Sequence, residues 1–316
     1  MNQLIQMDSY VVKTTIDTLL QDKTTKHNII WATKSYEKFG PLYSDRMEIS
    51  RTAILGLNSG VLQPRVTKAL EQQQERTKAK AEVFTPTWIC NKMNNYLDED
   101  WFGRPNVFNV EKDNTWETND SPIEFPQNRE WKKYIDCRKL EITCGEAPYL
   151  VSRYDATTGE LIDVKDRVGI LDRKLRIVNE NTTDEKEWLK WAVRSYESTY
   201  GYEFQGDNLL IARINLLQTF ADNLEFRWNR LPSIKELSKI ANIISWNVWQ
   251  MDGLTGTVPL GVPQEHIEEI SLFDFDEDFN IKEKPEQAPL CKIWDWRLGN
   301  AILFNSIKQG GNKNEI

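Results

Sequence analysis

Apolar and polar positions follow one main rhythm along this chain, broken in a few places. In "DSYVVKTTIDTLLQD" (8–22) the apolar residues recur at intervals of three and four, the period of an amphipathic helix. "QPRVTKALEQQQERTKAKAE" (63–82) is rich in helix formers and predicts a second helix from about Pro64. From 99 to 135 the period disappears into Asn, Asp, Pro and aromatic residues, which predicts an ordered insertion with short strands. "CRKLEITCG" then predicts a strand ending in a glycine turn. "TTDEKEWLKWAVRSY" predicts a helix capped by Asp184 with Glu187 three residues on. "STYGYEFQG" predicts a strand, "DNLLIARINLLQTFADNLEF" an apolar helix, and "SIKELSKIANII" a helix started by Ser233. "SWNVWQMDGLTG" predicts a strand running into a loop.

Strands alternating with helices imply an α/β sheet. The expected division is a helical N-terminal region (1–80), a sheet domain (81–260) with the 99–135 insertion, and a C-terminal tail (261–316). With 316 residues, 40% hydrophobic and 12 Trp, a substantial core can form. No run of 18 apolar residues exists and the N-terminus does not read as a signal peptide, so the expectation is a cytoplasmic protein with no membrane span. Four cysteines without a Cys-x-x-Cys pair and two histidines argue against a zinc site. A net charge of −8 is unlike a free-standing DNA binder, although "ERTKAKAE" (75–82) is a local basic patch.

Four segments carry candidate chemistry. In a nucleotide-binding α/β fold the first strand ends in a tight turn where a cofactor approaches the backbone. Gly145 suits such a turn, with Glu141 at the strand end and Cys144 beside it. Glu203 stands at the end of the next strand, where a carboxylate can accept ribose hydroxyls. Asp252 stands at the end of the third, where it could accept an adenine amino group or simply shape a turn before Gly253. Upstream, Phe84 could pack beside a cofactor, and Thr85 and Pro86 open a helix.

In that order, over residues 81–256, these segments resemble the N6-adenine DNA methyltransferases of bacterial restriction-modification systems. "FTP" (84–86) resembles the family's first cofactor segment, "LEITCGEAPYL" its glycine turn, "YGYEFQGDNLLIARINLL" its ribose-binding segment and "NVWQMDGLTG" its adenine-binding segment. The resemblance implies a Rossmann-like S-adenosylmethionine-methyltransferase sheet with a helical N-terminal extension. It implies S-adenosylmethionine as cofactor and double-stranded DNA as partner. The cofactor residues it implies are Phe84, Thr85, Pro86, Glu141, Cys144, Gly145, Glu203 and Asp252. Ile142, Glu146 and Ala147 depart from the family's pattern. Asp172 in "VGILDRKL" is a rival ribose acid, but Gly201, Ala212, Arg213, Asn215 and Leu216 fit the helix that follows Glu203.

The family's catalytic Pro-Pro-aromatic loop, which holds a flipped base, is missing after Asp252. "EAPY", with Glu146, Pro148 and Tyr149, is the nearest match and falls inside the glycine turn. The implied chain is the cofactor part of a split enzyme, its catalytic loop on a second polypeptide whose strand pairs beside the one ending near Asp252, with Trp294 and Trp296 of the tail as a docking surface. The alternatives are a catalytically silent adaptor, or a magnesium-dependent nuclease built on Asp163, Asp172 and Lys174.

Overall fold

Helix boundaries in this chain are set by local capping, much as the sequence predicts. The computed structural model describes residues 4–68, 85–127, 129–261 and 288–309. Helices α1 (Tyr10–Leu20) and α2 (Arg51–Ile54) come first, and α3 (Thr87–Phe102) follows Pro86. A hairpin of β1 (Asn109–Lys112) and β2 (Thr115–Thr118) fills the middle of the insertion, and α4 (Trp131–Asp136) leads into β3 (Lys139–Glu141). Then come α5 (Ile170–Asn181), α6 (Glu185–Glu197), β4 (Thr199–Glu203), α7 (Gly206–Trp228), α8 (Ile234–Asn247) and β5 (Val248–Gln250). A second hairpin, β6 (Lys292–Asp295) and β7 (Asn300–Leu303), ends in α9 (Phe304–Gln309).

Asp184 accepts the Glu187 N–H at 3.0 Å, and Ser233 and Glu236 cap each other's backbone at the start of α8. The segment "VGILDRKL", which carries Asp172 and Lys174 of the nuclease alternative, is the start of α5. Asp172 accepts the N–H groups of Gly169 and Ser152 at 3.0 and 2.8 Å there. Most of the long helix predicted over 63–82, and the "ERTKAKAE" patch, lie outside the described residues.

The fold is mixed α/β. β3, β4 and β5 form a parallel three-stranded sheet in the order β3-β4-β5. One buried cluster runs from Ile5 to Val248 and includes α1, α5, α7 and α8. A smaller one joins Tyr200, Tyr202 and Trp249 of the sheet to Ile293 and Phe304 of the C-terminal hairpin region. Among the described residues no helix is long and apolar enough to cross a membrane.

Arg213, fully buried in the middle of α7, organises this packing. Its guanidinium donates to Val248 O (2.7 Å), Gln21 O (3.1 Å), Ser245 O (3.3 Å) and Leu19 O. These carbonyls lie at the ends of α1 and α8, where helix dipoles are negative. Burial lowers its pKa to about 10, so the cation persists at neutral pH. Nearby, Gly206 N–H donates to Trp31 O at 3.0 Å, and a Cβ on Gly206 would lie 2.0 Å from Ile30 O. No other residue fits this close approach.

The two sheet edges differ. Met251 N–H donates to Glu203 O, so alternation turns the Val248 and Gln250 backbones outward on β5. Their carbonyls are taken by Arg213 and, at 3.4 Å, by the Cys291 thiol, while the Gln250 amide brackets Ile30 N–H and C=O at 2.9 Å each. The edge beside Asp252, expected to receive a partner strand, is closed by the chain itself. Trp294 stacks near Trp246 (5.1 Å between centroids), and Trp296 donates to Asn247 at 2.7 Å, so the expected docking tryptophans are engaged within the chain. The open edge is β3. Leu140 and Ile142 turn their backbones away from β4, no described strand pairs there, and their side chains are 43% and 64% exposed.

Replacing Arg213 by Leu leaves four buried carbonyls without their donor. The expected loss is about 3–5 kcal/mol, measured by urea unfolding; a loss below about 1 kcal/mol would show that the guanidinium does not organise the core.

Candidate functional site

Parallel strands bring their C-terminal ends to one rim, the usual place for a ligand in open α/β sheets. Glu141, Glu203 and, two residues beyond β5, Asp252 stand on that rim. The turn after β3 is unusual. Thr143, Gly145 and Ala147 all have positive φ, at 48°, 54° and 66°. Left-handed conformations at a β-branched residue and an alanine are strained, and such strain persists only where surrounding contacts impose it. A Cβ on Gly145 would meet nothing within 4 Å, so the backbone is open to approach.

Glu203 imposes the turn. One carboxylate oxygen accepts Gly145 N–H at 2.9 Å and the other Gln205 N–H at 3.1 Å, which ties the turn after β3 to the end of β4. Cys144 adds its N–H to Tyr202 O at 2.8 Å. Its thiol is buried; burial, with Glu141 and Glu203 nearby, pushes the thiol pKa well up, so it is a packed thiol and not a nucleophile.

Glu141 is the reactive anomaly. Its Oε1 is 3.4 Å from Tyr149 N, and its Oε2 is buried with no hydrogen-bond partner. Burial pushes its carboxyl well above the usual carboxylate range; Glu203 adds to the rise and the N–H groups of Tyr149 and Leu150 oppose it. A buried acceptor left without a donor is costly in a finished structure and marks a place where a ligand donor fits.

The other predicted residues divide. Thr85 reaches the site, bonded to the Tyr149 side chain, and Pro86 sets the start of α3; Phe84 lies outside the described residues. Asp252 forms a turn, its Oδ1 accepting Leu254 N–H at 2.8 Å, the structural alternative weighed for it. The "EAPY" fallback is not assembled as one group. Glu146 is buried, accepting Arg65 N–H at 2.7 Å and the Tyr154 hydroxyl at 2.8 Å, while Tyr149 faces Thr85.

Asp172 is a helix cap and not a rim acid. Lys174 is buried, its ammonium donating to Cys137 O (2.7 Å), Ser198 Oγ (2.7 Å) and Ser198 O (3.2 Å). Asp172 and Lys174 therefore serve separate structural roles. Among the described residues no cluster of three His, Cys, Asp or Glu side chains could hold a metal. Sequence reasoning missed Asp207, which is buried at the start of α7 and accepts from the Tyr36 hydroxyl (2.8 Å) and Lys68 (3.2 Å). An acid just after Gly206 at a helix N-terminus was the available signal.

The Glu141 carboxyl gives a pH signature. The unfolded chain loses this proton near the ordinary glutamate value of 4.5, while the folded chain keeps it to higher pH. Stability at this residue therefore falls as pH rises above that value. Glu141→Gln should match the wild type near pH 4 and melt higher than it near pH 7.5; a melting difference that does not change between those pH values would refute the raised carboxyl.

These strand-end acids and the strained turn must be read on their own chemistry, because no protein-family model, no curated protein and no solved structure matches this chain.

Proposed function

We propose that this chain is the S-adenosylmethionine-binding part of a DNA adenine-N6 methyltransferase of a restriction-modification or phage-defence system, with the catalytic loop supplied by a second polypeptide. The observation that carries the reading is the coupling of the Gly145 turn to Glu203 across β3 and β4, beside the unpartnered Glu141 Oε2. The strand order adds support. Read as β5-β4-β3, it is one half of the doubly wound order 3-2-1-4-5-6, in which the ligand crevice lies at the reversal point, beside the first strand.

The residues fit the cofactor. Glu203 would share its carboxylate between the two backbone N–H groups and the ribose hydroxyls. Glu141 Oε2 offers an acceptor for the amino group of the methionine part, and the open side of Gly145 admits the chain between them. Bound there, S-adenosylmethionine supplies a methyl group on a positively charged sulfur. Binding a cation against Glu141 requires its ionised form, so cofactor binding would release the proton that burial holds there.

Methyl transfer also needs the adenine nitrogen held in line and its developing charge stabilised. The described rim offers no such loop. A partner strand paired along the open edge of β3 would place its C-terminal end, and a loop following it, beside the Gly145 turn. Leu140 and Ile142 would be covered by that pairing.

Two outcomes are expected. By calorimetry, the chain binds S-adenosylmethionine, and Glu203→Gln weakens binding roughly tenfold by making charge-assisted bonds neutral. Asp172→Asn leaves the affinity of folded protein unchanged; no binding to the intact chain would end the cofactor assignment. In tritiated methyl transfer to mixed-sequence DNA, neither this chain nor its partner is active alone and the mixture is active. Leu140→Lys abolishes activity of the mixture but not cofactor binding. Robust transfer by the isolated chain would sink the split-enzyme reading, and cofactor binding without transfer by any mixture would favour a silent adaptor.

A further inference from the structure

A second charged surface lies at the other end of the sheet. Helices α4, α6 and α8 enclose a cleft of about 770 Å³ floored by apolar side chains including Leu189, Phe220 and Ile240. Asp136 and Glu197 on its wall close the helices that lead into β3 and β4, so the cleft sits where the strands begin, away from Glu203 and the Gly145 turn. Each helix brings two lysines to it: Lys132 and Lys133, Lys186 and Lys190, Lys235 and Lys239.

The spacing of these lysines is unfavourable unless an anion is present. Lys186 and Lys190, like Lys235 and Lys239, are like charges four apart on one helix face, a destabilising arrangement. Lys132 and Lys190, from different helices, converge on one ring, 5.4 and 5.6 Å from the Trp191 centroid. The three carboxylates of the wall do not relieve them. Asp136 is held by Arg194 and Arg297, Glu197 by Arg194 and Glu236 by Arg230. Among the described residues none of the six lysines has a carboxylate within ion-pair distance. Much of the chain's acidity is concentrated in the stretch 262–287, which holds nine carboxylates against two lysines.

We propose that this cleft binds the phosphate backbone of duplex DNA, as a contact separate from the site of methyl transfer. Six ammonium groups on three rigid helices match a ligand with repeated negative charge. A single small anion would engage only part of a cleft this wide. The choice of DNA over other phosphate polymers rests on the methyltransferase reading, while the anion chemistry stands on the lysines alone.

The test is fluorescence anisotropy with a labelled duplex of about 24 base pairs and the full chain, without cofactor, over a range of salt. The full chain should bind, with log affinity falling linearly in log salt. The fourfold variant Lys186→Glu, Lys190→Glu, Lys235→Glu and Lys239→Glu should bind roughly tenfold or more weakly. The neutral set, each of the four changed to Gln, should reduce the salt slope by about 3–4 units while keeping the circular dichroism of the wild type. Unchanged affinity and slope in the Gln set, or no binding by the wild type at low salt, would overturn the proposal. Tighter binding of a duplex RNA of equal length would overturn the assignment to DNA. Since no cofactor is present, failure of the S-adenosylmethionine assignment and failure of this one are read in separate experiments.

Discussion

One buried cation holds the molecule in register. Arg213 gathers carbonyls from the ends of α1 and α8 and from β5, the first of them 194 positions away in the chain. A guanidinium presents several donors in a fixed plane, so it fixes direction as well as distance, which an ammonium on a flexible stem does not. The buried apolar cluster supplies most of the driving force. The guanidinium decides which arrangement of helices around β5 that force stabilises. Because it also fills an outward carbonyl of β5, the same interaction closes one edge of the sheet and leaves growth to the other.

The rim inherits its geometry from this frame. β4 is entirely buried between its neighbours, so Glu203 leaves the sheet at a fixed height and angle. Its carboxylate meets Gly145 N–H because the turn folds back over the strand end, and the left-handed backbones of Thr143 and Ala147 are the strain this requires. Glu141 lies on the same rim without a matching donor for Oε2. The two neighbouring carboxyls sit in different environments. Glu203 accepts the backbone N–H groups of Gly145 and Gln205, while burial raises the pKa of Glu141.

What the sequence conveyed follows how local the physics is. Capping chemistry lies within four residues, so Asp184 with Glu187 and Ser233 with Glu236 were legible as helix starts. The sheet's strands were legible because short β-rich runs were set between strongly periodic helices. Asp172 and Lys174 misled because a two-residue spacing looks like paired chemistry in a list. On a helix those positions point about 200° apart, toward a cap and toward the strand starts. Which sheet edge is open was not legible, since the closure of β5 uses Ile30, Arg213 and Cys291, far apart in the chain. The lysine cleft was hidden for the same reason: its walls come from three segments spread over about 100 residues.

The contact between Gly206 and Ile30 has a consequence for how the chain reaches this state. Residues near 30 pair locally with Leu20, Asp45 and Met47, but Ile30 and Trp31 also pair with Gln250 and Gly206, more than 170 positions later. Such pairings close large loops, whose entropy must be spent before any contact rewards it. Helix α1 packs mainly on α8 and α7, so during synthesis its full docking surface is complete only once about four-fifths of the chain has left the ribosome. Its apolar stripe, Val12, Ile16, Leu19 and Leu20, lacks those partners throughout that interval. The emerging polypeptide is thus most exposed to aggregation at its beginning, and chaperone demand is set by the oldest part of the nascent chain.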